Sequence, residues 1–299
     1  MTIKIQQRLN QIAWISVVYI VFVILWGAVV RATGSGAGCG SHWPLCNGEV
    51  IPIAKTIATS IEFFHRFTSG LSLMLVLALW IGCLKFLKRP HRARMYSSIS
   101  LFLIICEALI GAGLVIFGLV AKDDSAGRVW VISFHLINTL LLVASLTLTA
   151  SSLKSNVSQD SKLRFDGASF GITVLFLLIA ATGAICALGD TLFPSTSIAH
   201  GIAQDLDTSS HWIIRLRAIH PVLAVLFAFL GFAYALKIES KTSKAFQHTI
   251  LLQITLGVIN WLTLAPVGIQ ILHLAVSNTL WVLWIQLQFR PTLTRFSNR

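Results

Sequence analysis

Residues 12–30 read IAWISVVYIVFVILWGAVV, a run without a single charged side chain. A bilayer core takes about 20 such residues as one helix, and a helix that is apolar all round has to be buried in protein or in lipid. Seven further stretches of the same kind follow, at about 62–84, 95–118, 129–150, 168–189, 213–236, 246–264 and 268–288. Lys4 and Arg8 precede the first run, as in a signal peptide. Its apolar length exceeds an h-region and seven more spans follow, so it reads as a retained helix. The expectation is an all-α membrane protein with eight transmembrane helices. Composition agrees. Of 299 residues, 56% are hydrophobic and 11% charged, with a mean hydropathy of +0.80. A soluble domain carries about a quarter charged residues, so disorder, coiled coil and collagen are excluded and a soluble α/β enzyme is disfavoured.

The net charge of +12 would suggest nucleic acid in a soluble protein. In a membrane protein it has another source, the Lys/Arg bias of cytoplasmic loops, and the positions decide. Lys4, Arg8, Lys85, Lys88, Arg89, Arg92, Arg94, Lys154, Lys162, Arg164, Lys237, Lys241, Lys244, Arg290, Arg295 and Arg299 fall in alternate segments, 16 of the 23 basic residues. The opposite loops hold Glu49, Asp123, Asp124, Asp190, Asp205 and Asp207. Both termini are therefore expected in the cytoplasm, with the chain in the inner (plasma) membrane. No basic stripe remains for nucleic acid.

The two halves echo one another. Trp26-Gly27-Ala28 matches Thr182-Gly183-Ala184, Glu107 with Gly111 matches Gln253 with Gly257, and His65 matches His220. His135-Leu136 with Asn138-Thr139-Leu140 matches His273-Leu274 with Asn278-Thr279-Leu280. Such a duplication predicts two tandem, pseudo-symmetric four-helix bundles, residues 1–155 and 156–299.

His65, His135, His220 and His273 fall in spans 2, 4, 6 and 8, each near the external end, whereas His42, His200, His211, His91 and His248 fall at loops or span ends. An ionisable side chain within a span is costly and signals function. Two imidazoles on facing helices of a four-helix bundle suit axial ligation of one haem iron; the competing reading is hydrogen bonding between helices. Zinc is disfavoured, because the C-terminal pair lacks further tetrahedral ligands, and the absence of Cys-x-x-Cys-His means haem without thioether bonds. Arg31, Arg66, Arg215 and Arg217 cluster at the same ends and are candidates for haem propionates.

Glu62 stands three residues before His65, where the other half has Arg217 before His220. A carboxylate there could accept a proton during oxidation of a haem substituent, or simply sit at a helix start paired with Arg66. Glu107, in mid-span, is read as neutral or hydrogen-bonded, and as packing before chemistry. Cys39 and Cys46, seven apart in the first external loop, could close a disulfide or form an exchangeable thiol pair. Cys83, Cys106 and Cys186 lie in spans as packing residues, and the 190–212 loop is expected to cap the C-terminal half.

These residues resemble the Cox15/CtaA family, the bacterial haem A synthases, over essentially the whole chain. The resemblance rests on Val30-Arg31-Ala32-Thr33-Gly34-Ser35-Gly36, on Cys39 with Trp43-Pro44-Leu45-Cys46-Asn47-Gly48, and on Glu62-Phe63-Phe64-His65-Arg66. His135-Leu136, His220 and His273-Leu274 follow in order. It implies oxidation of the C8 methyl group of haem O to a formyl by two successive hydroxylations through a hydroxymethyl intermediate. By the same resemblance, His65 and His135 hold the substrate haem O, Glu62 is the catalytic carboxylate, and His220 and His273 bind a haem b cofactor that passes electrons. The implied partners are a membrane haem O synthase and an electron acceptor. Two positions depart from the family pattern: His42 stands where an acid is frequent and Glu107 where Gln is expected, and neither is expected to touch the ligands. A dihaem b-type cytochrome that only moves electrons uses the same histidines but leaves Glu62 unexplained. A transporter would show broken helices at the midplane.

Overall fold

The computed structural model describes residues 3–53, 56–154, 162–163 and 165–290. Its regular structure among the described residues is helical apart from one antiparallel pairing of two residues each, β1 (Lys162–Leu163) with β2 (Phe289–Arg290), and an isolated bridge between Cys46 and Glu49. The expected half boundary at 155/156, and Arg164, Arg295 and Arg299, lie outside the described residues.

The long helices are α1 (Ile3–Ala32), α2 (Ile57–Phe86), α3 (Arg92–Ile116), α4 (Ala126–Ser152), α5 (Gly167–Leu192), α8 (Ile219–Leu236), α9 (Lys241–Leu262) and α10 (Val267–Gln288). Between α5 and α8 stand the short α6 (Ile198–Leu206) and α7 (Trp212–Leu216). Their starts are written in the sequence. Thr56, Ser125, Ser197 and Ser240 cap α2, α4, α6 and α9 with side-chain oxygens, and Asp166 forms a capping box with Ser169 on α5; each satisfies an otherwise orphaned N–H. His91 caps α3, its Nδ1 accepting from Ala93 N at 3.2 Å. Burial lowers the His91 pKa below the usual histidine value, which favours the neutral ring that can accept this bond.

Among the described residues, seven helices are long and apolar enough to cross a membrane: α1 to α5, α7 with α8 taken together, and α10. The chain is a multi-pass membrane protein. The stretch expected as span 7, 246–264, lies in α9, a helix of 22 residues that is not among the seven: Gln247, His248, Gln253 and Asn260 dilute its apolar run. Span 6, expected unbroken from 213, is interrupted at Arg217-Ala218. Pro221 is the cause, since it has no N–H and its ring crowds the carbonyl four residues back, at 217.

Helices α1 to α4 pack as successive neighbours with α1 closing onto α4; α5, α8, α9 and α10 pack in order; and α1 and α4 face α5 and α10. Helix α4 is central: half of its apolar window is buried, against 17–28% in the other six. Lipid removes the hydrophobic drive between helices, leaving close contact of small residues and interhelical hydrogen bonds. Accordingly α4 buries Ala144, Ser145, Thr147, Ala150 and Ser151, Ser145 Oγ pairs with Ser100 Oγ of α3 at 2.8 Å, and Asn10 Nδ2 of α1 donates to Ala150 O at 2.6 Å. Trp281 Nε1 donates to Leu140 O at 2.7 Å, tying α10 to α4. The large buried cluster gathers at one end of the molecule, around Leu79, Leu142, Leu146, Phe246, Trp281 and Trp284. All four candidate histidines lie toward the opposite end, where the second cluster contains only Val129, Leu188 and Ile213 among fully buried residues.

Candidate functional site

Each of the four histidines is seated in the same way. The ring lies against a glycine of the preceding long helix, where an added Cβ would sit 3.1 Å from His65 Cε1 (Gly27), 3.8 Å from His135 Cε1 (Gly111), 2.9 Å from His220 Cε1 (Gly183) and 3.3 Å from His273 Cε1 (Gly257). The glycines that marked the internal repeat are thus the floor beneath the imidazoles. This role was not legible in the sequence, although the pairing of rare residues at corresponding places was its trace.

The rings differ in their partners. His220 Nδ1 stands 3.2 Å from Ile179 O, and donation to that carbonyl leaves Nε2 as the lone-pair nitrogen, the arrangement that orients a metal-binding histidine. His273 Nε2 is 3.1 Å from Gln253 Nε2. Nδ1 of His65, of His135 and of His273 is buried without a hydrogen-bond partner. The His220 and His273 rings meet edge to face, 6.5 Å apart between centroids and at 81°. Among the described residues no group of three or more His, Cys, Asp and Glu converges on one point. Each pair therefore offers two nitrogens, which fits a metal whose remaining ligands arrive with it, as in haem.

Glu107 departs from expectation. Far from standing clear of the ligands, its Oε1 lies 3.1 Å from His135 Nδ1. Asn138 Nδ2 donates to its Oε2 at 2.6 Å, and Thr139 Oγ1 donates to its Oε1. The repeat is not carried through here, because Asn278 and Thr279 bond to carbonyls of their own helix, Leu274 O and Ala275 O.

Beside His65 the first loop is strapped onto α2. Cys39 and Cys46 are joined in a disulfide. Asn47 N donates to Cys39 O at 3.0 Å and Thr59 Oγ1 to Gly38 O at 2.9 Å. Gly38 permits this contact, since a Cβ there would lie 2.4 Å from the carbonyl of Ala58. Glu62, 3% exposed, is the clamp. Its Oε2 accepts from Cys39 N at 2.7 Å and its Oε1 from Arg66 Nε and Nη2 at 3.1 and 2.5 Å. Arg66 also reaches His42 O and Leu45 O, both at 2.5 Å. Glu62 lies beyond the first turn of α2, which begins at Ile57, so its partners are the loop and Arg66 rather than the helix terminus.

The four arginines separate. Arg31 crosses to the other set of helices, donating to Ala187 O and Thr191 Oγ1 of α5 at 2.5 Å and to Gln270 Oε1 of α10 at 2.7 Å. Arg217 is buried between Asp205 at 2.8 Å and Asp190 at 3.2 Å, so α6 and its loop close over the start of α7 and α8. Arg66 is held as above. Arg215 is exposed and has no hydrogen bond among the described residues.

Residues 10–285 match the model of the COX15-CtaA family, described as "Cytochrome oxidase assembly protein". A Thermus thermophilus protein named "Protoheme IX farnesyltransferase" is 41% identical over 291 residues, covering 93% of this chain and 47% of that protein. "Heme A synthase" of Alkalihalophilus pseudofirmus is 45% identical over 114 residues, 38% of each chain. "Heme A synthase" of Bacillus cereus is 33% identical over 181 residues, 58% of this chain and 56% of that one. The chain spans about half the length of the curated relatives it matches.

Proposed function

The chain belongs to the COX15-CtaA family, and from that premise we propose that it oxidises the C8 methyl group of haem O to a formyl group, making haem A for cytochrome oxidase. The observation that carries this reading is an asymmetry within a repeat. Four histidines sit alike on glycines, while a buried acid strapped to a disulfide loop stands beside only the first of them.

On this reading the chain is eight transmembrane helices in two tandem four-helix bundles, 1–155 and 156–299, with both termini cytoplasmic as the basic loops indicate. His65 and His135 hold the substrate, and His220 and His273 hold haem b. Haem b, when bound, supplies one-electron relay chemistry. The substrate methyl becomes a hydroxymethyl and then a gem-diol. Each step takes oxygen from water and releases two protons and two electrons, and the diol loses water to give the formyl. Glu62 accepts a proton from the attacking water at Oε2, which carries one neutral donor, whereas Oε1 is held by Arg66. The two contacts fix the carboxylate beside His65 so that no reorientation accompanies proton transfer. Arg215 is the arginine left to meet a haem propionate; Arg31, Arg66 and Arg217 already hold the scaffold.

The electrons leave to an acceptor outside this chain. A haem O synthase is the supplying partner. The Thermus relative supports this, since its name describes farnesyl transfer to protohaem IX and less than half of its length corresponds to this chain. Co-production with a haem O source, followed by mass identification of the extracted haems, tests the function. New haem A is expected. Unchanged haem O with bound haem b would make the chain an electron-transfer cytochrome, and no haem at all would favour a transporter.

A further inference from the structure

His135 on α4 and His273 on α10 stand in corresponding places, each beside a side chain from the preceding helix, and here the halves differ in charge. On α3 the neighbour is Glu107, with Oε1 3.1 Å from His135 Nδ1. On α9 it is Gln253, with Nε2 3.1 Å from His273 Nε2. Both neighbours lie four residues before the glycine that floors their histidine, Gly111 and Gly257. A carboxylate in mid-span is costly, and the fold meets that cost with two dedicated donors, Asn138 Nδ2 and Thr139 Oγ1, both on the turn of α4 that follows His135. The C-terminal half has no such clamp: Val276 stands three residues after His273, and Asn278 bonds to its own helix. One histidine therefore has a carboxylate held beside Nδ1, whereas its counterpart meets an amide at Nε2 and keeps its own Nδ1 without a partner.

We propose that Glu107 is a positioning residue that fixes the ring of His135 and raises its strength as an iron ligand, so that the N-terminal iron has a lower reduction potential than the C-terminal one. The proposal rests on the assignment of His135 and His273 as iron ligands. The contact is an ion-pair distance and not an aligned hydrogen bond; a carboxylate this close to Nδ1 of a ligand histidine still favours the tautomer protonated there and increases the basicity of the metal-facing nitrogen. A more basic ligand favours ferric over ferrous iron, and an amide carries no charge to do the same. The resulting order places the more easily reduced iron in the half that relays, downhill from the half where the substrate is oxidised.

The test is a potentiometric titration of the purified full chain carrying its haems, followed by visible and electron paramagnetic resonance spectra. His135→Ala and His273→Ala, each losing one haem, assign the two midpoints. Glu107→Gln is expected to raise the N-terminal midpoint by about 59 mV, a tenfold loss of ferric preference for a one-electron couple, while the C-terminal midpoint stays in place. Glu107→Asp, which draws the carboxylate back from Nδ1 by one methylene, is expected to raise the N-terminal midpoint in the same direction, and it carries the test should Glu107→Gln fail to retain haem. With both ligand assignments intact, unmoved midpoints in these variants overturn the proposal alone. Retention of both haems by His135→Ala or His273→Ala overturns the ligand assignment and the proposal with it.

Discussion

Replacing Gly183 with alanine would place a methyl carbon 2.9 Å from His220 Cε1 and 3.2 Å from its Nδ1. Carbon atoms settle at about 3.5–4.0 Å, so the ring must retreat by roughly half an ångström or more. Retreat stretches the contact between Nδ1 and Ile179 O, already 3.2 Å long; a hydrogen bond of this kind contributes about 1 kcal/mol. Overpacking adds about 1–3 kcal/mol, and the gain in helix propensity returns only about 0.5–1 kcal/mol. The net loss is then about 1–3 kcal/mol, and each 1.4 kcal/mol or so is tenfold in retention of a haem held by His220. The other three glycines make an internal scale. Gly27→Ala meets His65 at 3.1 Å, Gly257→Ala meets His273 at 3.3 Å, and Gly111→Ala meets His135 at 3.8 Å, an ordinary contact. Haem-to-protein ratio and thermal midpoint in detergent, measured for all four, should worsen in the order Gly111, Gly257, Gly27, Gly183. Gly111→Ala should be neutral or slightly stabilising. Equal damage at Gly111 and Gly183, or full haem and unchanged stability in Gly183→Ala, would refute the idea that these glycines make room for the imidazoles.

Other consequences follow from the strap and the crossings. Glu62→Ala leaves Arg66 and the Cys39 N–H without their acceptor, and breaking a buried pair costs about 3–5 kcal/mol; a thermal midpoint close to the parent's would contradict the clamp. Glu62→Gln keeps an acceptor for Cys39 N–H and should fold with both haems yet lose conversion of haem O, whereas full turnover would remove Glu62 as the base. Cys46→Ser opens a short loop worth about 2–3 kcal/mol of chain entropy. It should speed amide exchange in residues 38–49 while leaving the absorption of the haem proposed at His220 and His273 unchanged; altered absorption there would show that the loop acts beyond α2. Arg31→Ala removes three hydrogen bonds between α1 and the helices α5 and α10. Arg31→Lys should not restore them, because the planar fork is lost, so equal thermal midpoints for Arg31→Lys and the parent would argue against the crossing.

What the sequence made legible followed from rarity. An uncharged run such as 12–30 has few homes other than a bilayer, and histidines within such runs stand out because the medium disfavours them. The repeat was visible where those rare residues recur, and the disulfide as one of two outcomes open to a closely spaced external pair. What stayed hidden depends on contacts between distant positions. Arg31 meets Gln270 across 239 residues, so nothing local distinguishes it from an arginine awaiting a propionate. Arg66 and Arg217 were also candidates, and each is held by neighbouring carboxylates. Glu107 was read as packing because its partners, Asn138 and Thr139, sit on the next helix, and helix-to-helix register is not written in either helix alone. The break before His220 had a local sign in Pro221, whose effect falls four residues upstream.

The proposed division of labour places substrate haem in the first half and cofactor haem in the second. It is tested most directly by the haems extracted from the purified chain, His135→Ala and His273→Ala, each produced in cells that make haem O. Haem b together with farnesylated haem, including its oxidised products, is expected in the parent. Haem b alone is expected in His135→Ala, and unoxidised haem O without haem b in His273→Ala. Loss of the same haem from both variants, or oxidised haem in His273→Ala, would contradict it.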